Sequence, residues 1–324
     1  MLANHKDENI VNFYVSEKRK KVWDVELDLL KKLMEVCGKN GIRMFLGDGS
    51  LLGAVRHNGF IPWDDDIDIN MLREDYDKLM EIGPKEFSFP YFFQSAYTDH
   101  NYHRGHIQLR NSETTGILPN DCTRKFNQGI FIDIFPIDSL PLTEKEVSNL
   151  ITESSKMRIN MYYYRHLDFI FSPKSVFRSV INSIRSEIVI QKAGGFTKYY
   201  KQYEEIFRRN MNNGSQYLTK LSSFYVKYRI PKEVFSDIKY IDFQGISAPI
   251  MAGYDEYLKL MYGEDYMTPH QVSTFHGDAI FDTEKPYTQY IDKVKRLYGI
   301  LGQIERKFVR NGKTSRKIDE MTTL

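Results

Sequence analysis

The feature that most constrains the fold is a run of acidic residues that passes directly into an apolar alternation. Residues 64–72 read DDDIDINML, and the DIDI portion follows the two-residue period of a β-strand. Asp66 and Asp68 then share one face, with Cα atoms roughly 6.6 Å apart along the strand. The opposite face is apolar, so the segment predicts a strand that is buried on that side.

Two carboxylates on one strand face predict a cation. Held this close, Asp66 and Asp68 repel each other unless a positive charge neutralises them. A hard divalent ion such as Mg²⁺ or Mn²⁺ takes oxygen ligands and leaves room for substrate phosphate oxygens. The alternative is a solvated acidic turn, against which the apolar face argues. We therefore predict a metal site at Asp66 and Asp68, with Asp64 and Asp65 outside its ligands.

A glycine-rich turn precedes the acidic run. Residues 42–46 predict a short strand and residues 51–56 a helix, with Gly47, Gly49 and Ser50 between them. A strand, a glycine turn and a helix start direct backbone N–H groups at an anion. The sequence is neither the Walker pattern nor the dinucleotide fingerprint, so the prediction of a phosphate site at Gly49 and Ser50 depends on the nearby aspartates.

A third carboxylate stands in a separate apolar segment. Residues 129–135 read GIFIDIF and predict a further strand, with Asp133 flanked by apolar residues. A lone carboxylate in such a strand is costly to bury without a partner. A third metal ligand explains Asp133 better than a chance surface charge does. Asp138, after Pro136, is a secondary candidate.

At these residues the chain resembles a known family. The segments GSLLGAVRHNGFIPWDDDIDI (residues 49–69) and GIFIDIFPID (residues 129–138) are similar to the LicD family of phosphoryl-group transferases, relatives of fukutin and the fukutin-related protein. The family pattern is a Gly-Ser turn, a D-x-D strand and a third carboxylate on a neighbouring strand. Residues 250–269 are also similar to the closing helix of the family, whereas the resemblance is poor across residues 140–240.

The resemblance implies a nucleotidyltransferase-like fold and a transferase activity. A phospho-substituent, which is phosphocholine or the phosphate of ribitol, glycerol or ethanolamine, would pass from a CDP-linked donor to a hydroxyl of a cell-surface glycan or teichoic-acid precursor, lipid-linked or free. CMP would leave. The three aspartates would hold the ion, and Asp133 would accept the proton of the attacking hydroxyl. Gly49 and Ser50 would hold the donor phosphate, and Arg56 would offset developing charge.

Other residues have two interpretations each. Arg56 is otherwise an ordinary cation at a helix end. Arg110 closes a strand predicted at residues 107–110, where it would neutralise phosphate or be an edge charge. Trp63 would offer an aromatic face to a quaternary ammonium or fill the core. The resemblance implies that His276 completes the substrate side of the site, although a loop histidine is usually just solvated.

Three histidines at three-residue spacing, His100, His103 and His106, would form a zinc site or polar loop residues near a substrate. No helical pattern supports the spacing, and no cysteine lies among them. We therefore favour the polar-loop interpretation.

The alternation of strands and helices predicts an α/β (α+β) protein, with a mixed sheet core flanked by helices and a mostly helical C-terminal part. We expect a catalytic core over residues 1–140, a helical insertion and C-terminal part that completes the site over residues 141–305, and a flexible tail over residues 306–324. Predicted helices cover residues 22–37, 73–82, 157–165, 173–192, 196–209 and 253–261.

Composition limits the class of protein. The chain has 324 residues, 41% of them hydrophobic, and a formal net charge of +2, which predicts a globular protein without general nucleic-acid binding. Its two cysteines cannot form a disulfide framework, so we expect reduced buried thiols. No apolar run has the length of a membrane span or a signal peptide. These features predict a cytoplasmic protein.

Residues 173–192 suggest a contact with the inner face of the membrane. Their apolar residues, among them Phe177, Ile184 and Ile188, form one stripe at helical spacing, and basic residues accompany it. A basic amphipathic helix lies in a membrane interface, so peripheral binding is one interpretation. Packing of the stripe on the rest of the chain is the other.

Two other classes of function use the same residues. A nucleotidyltransferase would keep the nucleoside monophosphate on the acceptor, and it differs only in which phosphate is attacked. A non-catalytic glycan-binding scaffold on the same fold would not need the three aspartates, so their presence argues against it.

Overall fold

The computed structural model describes residues 8–10, 13–100, 102–118, 121, 124–166, 173–220, 228–269 and 279–298. The α-helices are α1 (Glu17–Lys39), α2 (Asp48–His57), α3 (Arg73–Glu86), α4 (Glu144–Tyr163), α5 (Pro173–Lys192), α6 (Phe196–Arg208), α7 (Tyr254–Tyr262) and α8 (Ile291–Tyr298). The strands are β1 (Glu8–Ile10), β2 (Phe13–Val15), β3 (Phe45–Leu46), β4 (Asp68–Leu72), β5 (Tyr91–Gln94), β6 (Ile107–Asn111), β7 (Thr115–Ile117), β8 (Ile130–Ser139), β9 (Tyr217–Thr219), β10 (Ile230–Pro231), β11 (Ile238–Phe243), β12 (Ile246–Met251) and β13 (Ile280–Asp282).

A mixed sheet centred on β8 organises these elements. Its order is β10-β9-β8-β4-β3, with β6 also paired to β8 and β5 paired to β6. Strands β4 and β8 are parallel, whereas β6 and β9 run antiparallel to β8. Further two-stranded pairs form between β1 and β2, β11 and β12, and β7 and β13. The α/β class with a mixed sheet, predicted from the alternating pattern, is therefore confirmed.

The longest strand is central because its sequence is apolar on both faces. In β8, Ile132 on one face is fully buried and Phe131 on the other face is 2% exposed, as expected for a strand covered on both sides. Helix α1 packs against β8 with a buried apolar stripe. It begins at Glu17, earlier than predicted, because the Ser16 hydroxyl caps it by accepting from the Arg19 N–H at 3.2 Å.

Predicted helix boundaries also differ from the structure in α3 and α4. Helix α3 continues to Glu86, so the predicted end at residue 82 is wrong. The Phe87 N–H donates to the Gly83 carbonyl at 3.1 Å and closes a last turn in which proline is accommodated. Helix α4 begins with a capping box between Thr143 and Glu146, a sequence signal that lies well before residue 157.

The apolar interior divides into a main core and a helical cluster. The main core combines residues from 15–137 with residues from 218–266. The helical cluster joins α4, α5 and α6 through residues such as Tyr199, Tyr200 and Phe207. The division at residue 140 stays a prediction: Leu140 belongs to the helical cluster, yet the chain returns to the main core at Leu218.

Cys37 is a buried free thiol, as predicted, and burial raises its pKa to about 12. None of the helices within the described ranges has the length and apolar character that a membrane crossing requires. Cys122, His276 and the predicted tail at residues 306–324 lie outside the described residues.

Candidate active site

Two adjacent parallel strands bring the predicted carboxylates together. Asp68, the first residue of β4, pairs in register with Asp133 in β8. The Asp133 N–H donates to the Ile67 carbonyl at 2.9 Å, which fixes the entry into β4 beside the middle of β8. Asp66 lies just before the strand, and the carboxylate oxygens of Asp66, Asp68 and Asp133 lie within 4.8 Å of one another. Three acidic side chains from two strands thus meet at one point.

The electrostatics of this cluster favour a cation. Burial raises the pKa of Asp66 and Asp68 well above the ordinary range, and the charges of neighbouring aspartates raise it further. Three carboxylates are the hard oxygen donors that Mg²⁺ and Mn²⁺ prefer, so the donor set fits the predicted ion. Asp64 and Asp65, predicted to lie outside the ligand set, form a second group with Asp66 within the same distance limit.

Two neighbours orient Asp133: one lies just before β6 and the other within it. The Gln108 side-chain amide donates to Asp133 Oδ1 at 2.6 Å, and His106 Nε2 lies 3.1 Å from the same oxygen. Gln108 faces Asp133 because the two residues are paired in register. Sequence reasoning missed Gln108, although a polar residue between Ile107 and Leu109 in a buried strand was an available signal.

Arg110 supports this arrangement from the interior. Its guanidinium donates to Gln108 Oε1 and to the Gly129 carbonyl, each at 2.6 Å, and lies 4.5 Å from the centre of the Phe131 ring. Arg110 is 1% exposed, so the interpretation as an edge charge is wrong. Burial lowers its pKa to about 10. The side chain positions Gln108, which in turn holds Asp133.

The glycine-serine segment contacts the aspartates directly. Helix α2 begins at Asp48, not at residue 51, so Gly49 and Ser50 lie in its first turn. The Ser50 hydroxyl accepts the Asp68 N–H at 2.8 Å, and a hydrogen bond from the Gly49 backbone opposes the rise in the pKa of Asp68. A Cβ atom on Gly49 would lie 2.6 Å from Asp64 Oδ2. Glycine therefore allows the acidic run to approach the helix closely.

A second polar network lies at the same helix start and was missed from sequence. Lys220, 3% exposed, forms an ion pair with Asp48. Asp48 also accepts from the Tyr257 hydroxyl at 2.9 Å, and the Asn70 amide donates to that hydroxyl at 3.0 Å. The Lys220 ammonium lies 4.2 Å from the centre of the Phe135 ring in β8. The network joins α7 and the end of β9 to the first turn of α2.

Helix α1 contributes a further buried carboxyl group. Glu26 is 1% exposed, and its Oε2 has no hydrogen-bond partner among the described residues. Burial raises its pKa well above 4.5, and the charge of Asp65 adds to the effect. The same helix anchors the acidic run, since Arg19 donates to the Asp64 carbonyl at 2.6 Å. The position of Glu26 on the apolar stripe of α1 was an overlooked signal.

Arg56 lies at the opposite end of α2 from Ser50. It donates to the backbone carbonyls of Tyr266 at 3.1 Å and Thr268 at 3.4 Å, and to His57 Nε2 at 2.9 Å. Within the described residues these contacts tie it to the segment after α7 and not to the three aspartates. Trp63 is 8% exposed and belongs to the main core, with the Arg56 guanidinium 6.0 Å from its ring centre. This environment favours the core interpretation of Trp63.

The three histidines do not gather around one point. His106 contacts Asp133, whereas the His103 ring packs against Phe126 and Tyr162. Among the described residues, the groups able to hold a metal consist of aspartates alone. The structure therefore gives the zinc interpretation no support, and it places one histidine of a predicted polar loop beside the acidic cluster.

Comparison with protein families matches residues 41–178 to the LicD/FKTN/FKRP nucleotidyltransferase domain. The matched range contains Gly49, Ser50 and the three clustered aspartates. It also extends through α4 into the start of α5. The resemblance that was predicted from two short motifs is confirmed.

Two relatives show how the similarity is distributed. The lipopolysaccharide cholinephosphotransferase LicD of Haemophilus influenzae is 27% identical over 252 residues, which cover 74% of this chain and 88% of that protein. The human ribitol 5-phosphate transferase FKRP is 54% identical over 46 residues, or 14% of this chain and 9% of that protein. The first similarity extends along most of both chains, whereas the second is confined to a short segment.

Proposed function

Because the chain carries a LicD-family domain over residues 41–178, we propose that it is a metal-dependent transferase for phospho-substituents. The group transferred is phosphocholine or a related alcohol phosphate, the donor is CDP-linked, and the acceptor is a hydroxyl of a cell-surface glycan or its lipid-linked precursor. The similarity to a lipopolysaccharide cholinephosphotransferase over most of the chain supports this substrate class.

The observation that carries the proposal is the meeting of three carboxylates on adjacent parallel strands. Asp66, Asp68 and Asp133 present oxygens within 4.8 Å of one another, and they would hold Mg²⁺ or Mn²⁺. Such an ion, when bound, draws negative charge from the phosphate oxygens of the donor. The chain itself supplies the alignment, because β-sheet pairing sets the distance between Asp68 and Asp133.

The proposed reaction is a displacement at phosphorus. The acceptor oxygen forms a bond to the phosphorus that carries the alcohol, the bond from that phosphorus to the bridging oxygen breaks, and CMP leaves. The hydroxyl proton passes to Asp133, which Gln108 and His106 orient. We assign donor-phosphate binding to the first turn of α2 at Gly49 and Ser50, where backbone N–H groups and the helix dipole favour an anion.

The arginines take different parts in this scheme. Arg56, half-buried at the far end of α2, faces the segment after α7, so we propose that it offsets charge on a donor bound between these elements. We assign Arg110 to the positioning of Gln108 and not to direct phosphate contact, since it is buried and engaged. The catalytic core at residues 1–140 is completed by later residues, a proposal that the contacts of Lys220 and Tyr257 with Asp48 support.

The test is release of nucleotide from a panel of CDP-choline, CDP-ribitol, CDP-glycerol and CTP. We expect Mg²⁺-dependent release of CMP from one CDP-linked compound, and loss of that release when EDTA is added. Asp68→Asn should lower the rate of this release by about 10²–10³-fold, whereas Asp242→Asn, at an exposed position on β11, should leave it unchanged. Full turnover by Asp68→Asn with Mg²⁺ would overturn the site assignment.

Nucleotidyl transfer is the alternative, favoured by the nucleotidyltransferase description of the matched domain. In that case the acceptor attacks the α-phosphorus of CTP, and pyrophosphate leaves. If pyrophosphate is released from CTP and no CDP-linked donor releases CMP, nucleotidyl transfer replaces our proposal. A folded protein that binds no nucleotide with Mg²⁺ would instead support a glycan-binding scaffold.

A further inference from the structure

Helix α5 presents its apolar side chains outward. Phe177, Ile181, Ile184 and Ile188 follow one another at spacings of four, three and four residues and therefore lie on one face. They are 69%, 41%, 57% and 50% exposed. A helix of a globular protein ordinarily turns such a stripe to the core. Among the residues that the structure describes, the stripe therefore does not pack on the rest of the chain.

The inward face of the same helix is mostly small and polar. Ser179 and Ser186 are 2% and 1% exposed, and Ile190 is fully buried. The Ser186 hydroxyl lies 3.4 Å from the Asn160 side-chain oxygen in α4. The helix is thus attached to α4 and α6 through small polar side chains and Ile190, while the side chains of the apolar stripe remain at the surface.

Basic residues flank the exposed stripe. Arg178 and Arg185 are exposed and project to one side of it, at helical angles close to that of Lys192. Glu187 is the only acidic residue of α5, and it is paired with Arg165 at 3.1 Å. An apolar stripe with a basic border matches the boundary between headgroups and acyl chains of an anionic bilayer.

We propose that α5 binds the surface of an anionic lipid bilayer, with the exposed stripe inserted at the level of the acyl chains and the arginines at the headgroups. Charge decides between this occupant and a second copy of the chain. Two copies paired through antiparallel α5 helices about a twofold axis would bring the basic border of one copy, Arg178 and Arg185, towards that of the other. An anionic surface instead neutralises these charges.

The test is co-sedimentation of the full chain with phosphatidylcholine vesicles that contain or lack phosphatidylglycerol. We expect binding to the anionic vesicles at low salt, weakened by high salt because the basic border is screened. The double variant Ile184→Ser/Ile188→Ser should reduce the partition constant by about tenfold or more, given the area each isoleucine would bury. The double variant Arg178→Gln/Arg185→Gln should reduce it by about tenfold on anionic vesicles only.

Tyr240→Ser is the matched control, because Tyr240 on β11 is 66% exposed and lies outside α5. Equal loss of binding in this variant would overturn the proposal, as would failure of the unaltered protein to pellet with anionic vesicles. A dimer that dissociates in Ile184→Ser/Ile188→Ser, without vesicle binding by either protein, would assign the face to a second copy. The inference is independent of the proposed chemistry: Asp68→Asn should bind vesicles normally, and the α5 variants should release CMP normally in the absence of lipid.

Discussion

Strand β8 carries two buried aspartates in contrasting environments. Asp138 receives two hydrogen bonds from the Arg73 guanidinium, at 2.6 and 2.8 Å, and is fully buried. Asp133, five residues earlier, lies among Asp66, Asp68 and neutral or weakly basic partners. The first carboxylate is neutralised within the protein, whereas the second belongs to a cluster that gathers like charge. Both aspartates are buried, so burial does not distinguish a structural aspartate from a candidate metal ligand. The charge of the neighbouring side chains does.

The largest effect is expected from breaking the structural pair. Asp138→Asn removes the carboxylate that accepts two hydrogen bonds from the buried Arg73 guanidinium and leaves Asp77, at 3.5 Å, as a more distant ion-pair partner. We expect the free energy of unfolding to fall by about 3–5 kcal/mol. In the unaltered protein Asp138 raises the pKa of Arg73 against the opposing effect of burial, so removing this carboxylate leaves the cost of burying the arginine charge largely uncompensated. Urea denaturation followed by circular dichroism measures the loss. Asp242→Asn is the control. If Asp138→Asn is as stable as the unaltered protein, the pairing of Asp138 with Arg73 is contradicted.

At the acidic cluster we expect a loss of activity without a loss of stability. Asp68→Asn should lower the rate of Mg²⁺-dependent CMP release by about 10²–10³-fold, the size typical for loss of one electrostatic group at a reacting centre. The free energy of unfolding should stay the same or rise, because one of three repelling carboxylates becomes neutral. Asp138→Asn, assayed at a temperature where it is folded, should retain its turnover per folded molecule. A large loss of stability in Asp68→Asn would remove the distinction between the two sites.

Added Mg²⁺ should distinguish the acidic cluster from the Asp138–Arg73 pair. An ion that binds only the folded state raises the free energy of unfolding by about 2.7 kcal/mol at a concentration a hundred times its Kd. Thermal unfolding should therefore shift upward with Mg²⁺ for the unaltered protein and for Asp138→Asn. Asp66→Asn should show little shift. If all three proteins respond equally to Mg²⁺, the ion binds outside the aspartate cluster.

The smallest effect concerns Glu26 and depends on pH. Its pKa in the folded protein lies above 4.5, so the folded state keeps a proton that the unfolded chain loses as the pH rises. Burial of Glu26 therefore costs no stability through protonation below pH 4.5. Above pH 4.5 the free energy of unfolding falls as the pH rises, because the folded state binds more protons than the unfolded chain. Glu26→Gln should therefore match the unaltered protein near pH 4 and exceed its stability at pH 7, on the order of 1 kcal/mol.

Glu35→Gln, at an exposed position of the same helix, provides the control for this prediction. It should follow the unaltered protein at both pH values when unfolding by urea is compared. A Glu26→Gln protein that is less stable at pH 7 than at pH 4, relative to the unaltered chain, would show that Glu26 is charged and paired.

The periodicity of the sequence predicted secondary-structure elements whose formation depends on residues within the same segment. The helix at Pro173–Lys192 lies at its predicted bounds, because its periodic pattern is complete within the segment. Asp66, Asp68 and Asp133 were proposed as one group from strand parity and from a family resemblance. Their separation in space is short because β4 and β8 are adjacent and parallel, which the sequence pattern alone does not determine.

The residues that were missed are those whose partners are distant in the chain. Lys220 and Asp48 are separated by 172 positions, and neither lies in a pattern that points to the other. The apolar stripe of α5 was visible in the sequence, but its outward direction depends on how α5 packs against α4. Arg110 was placed correctly in its strand, yet its role follows from Gln108, a neighbour on the same strand face, and from the pairing of Gln108 with Asp133 across two strands.

The hydrogen bond from the Asp133 N–H to the Ile67 carbonyl has a consequence for ion selectivity. It fixes the peptide between Asp66 and Asp68 to the neighbouring strand at 2.9 Å, so the backbone under both carboxylates cannot spread. Mg²⁺ requires oxygens at about 2.0–2.1 Å, whereas Ca²⁺ takes more ligands at about 2.3–2.6 Å in a flexible shell. A cluster held in this way accommodates the smaller ion more readily, so we expect Ca²⁺ to be a poor substitute for Mg²⁺ in this protein.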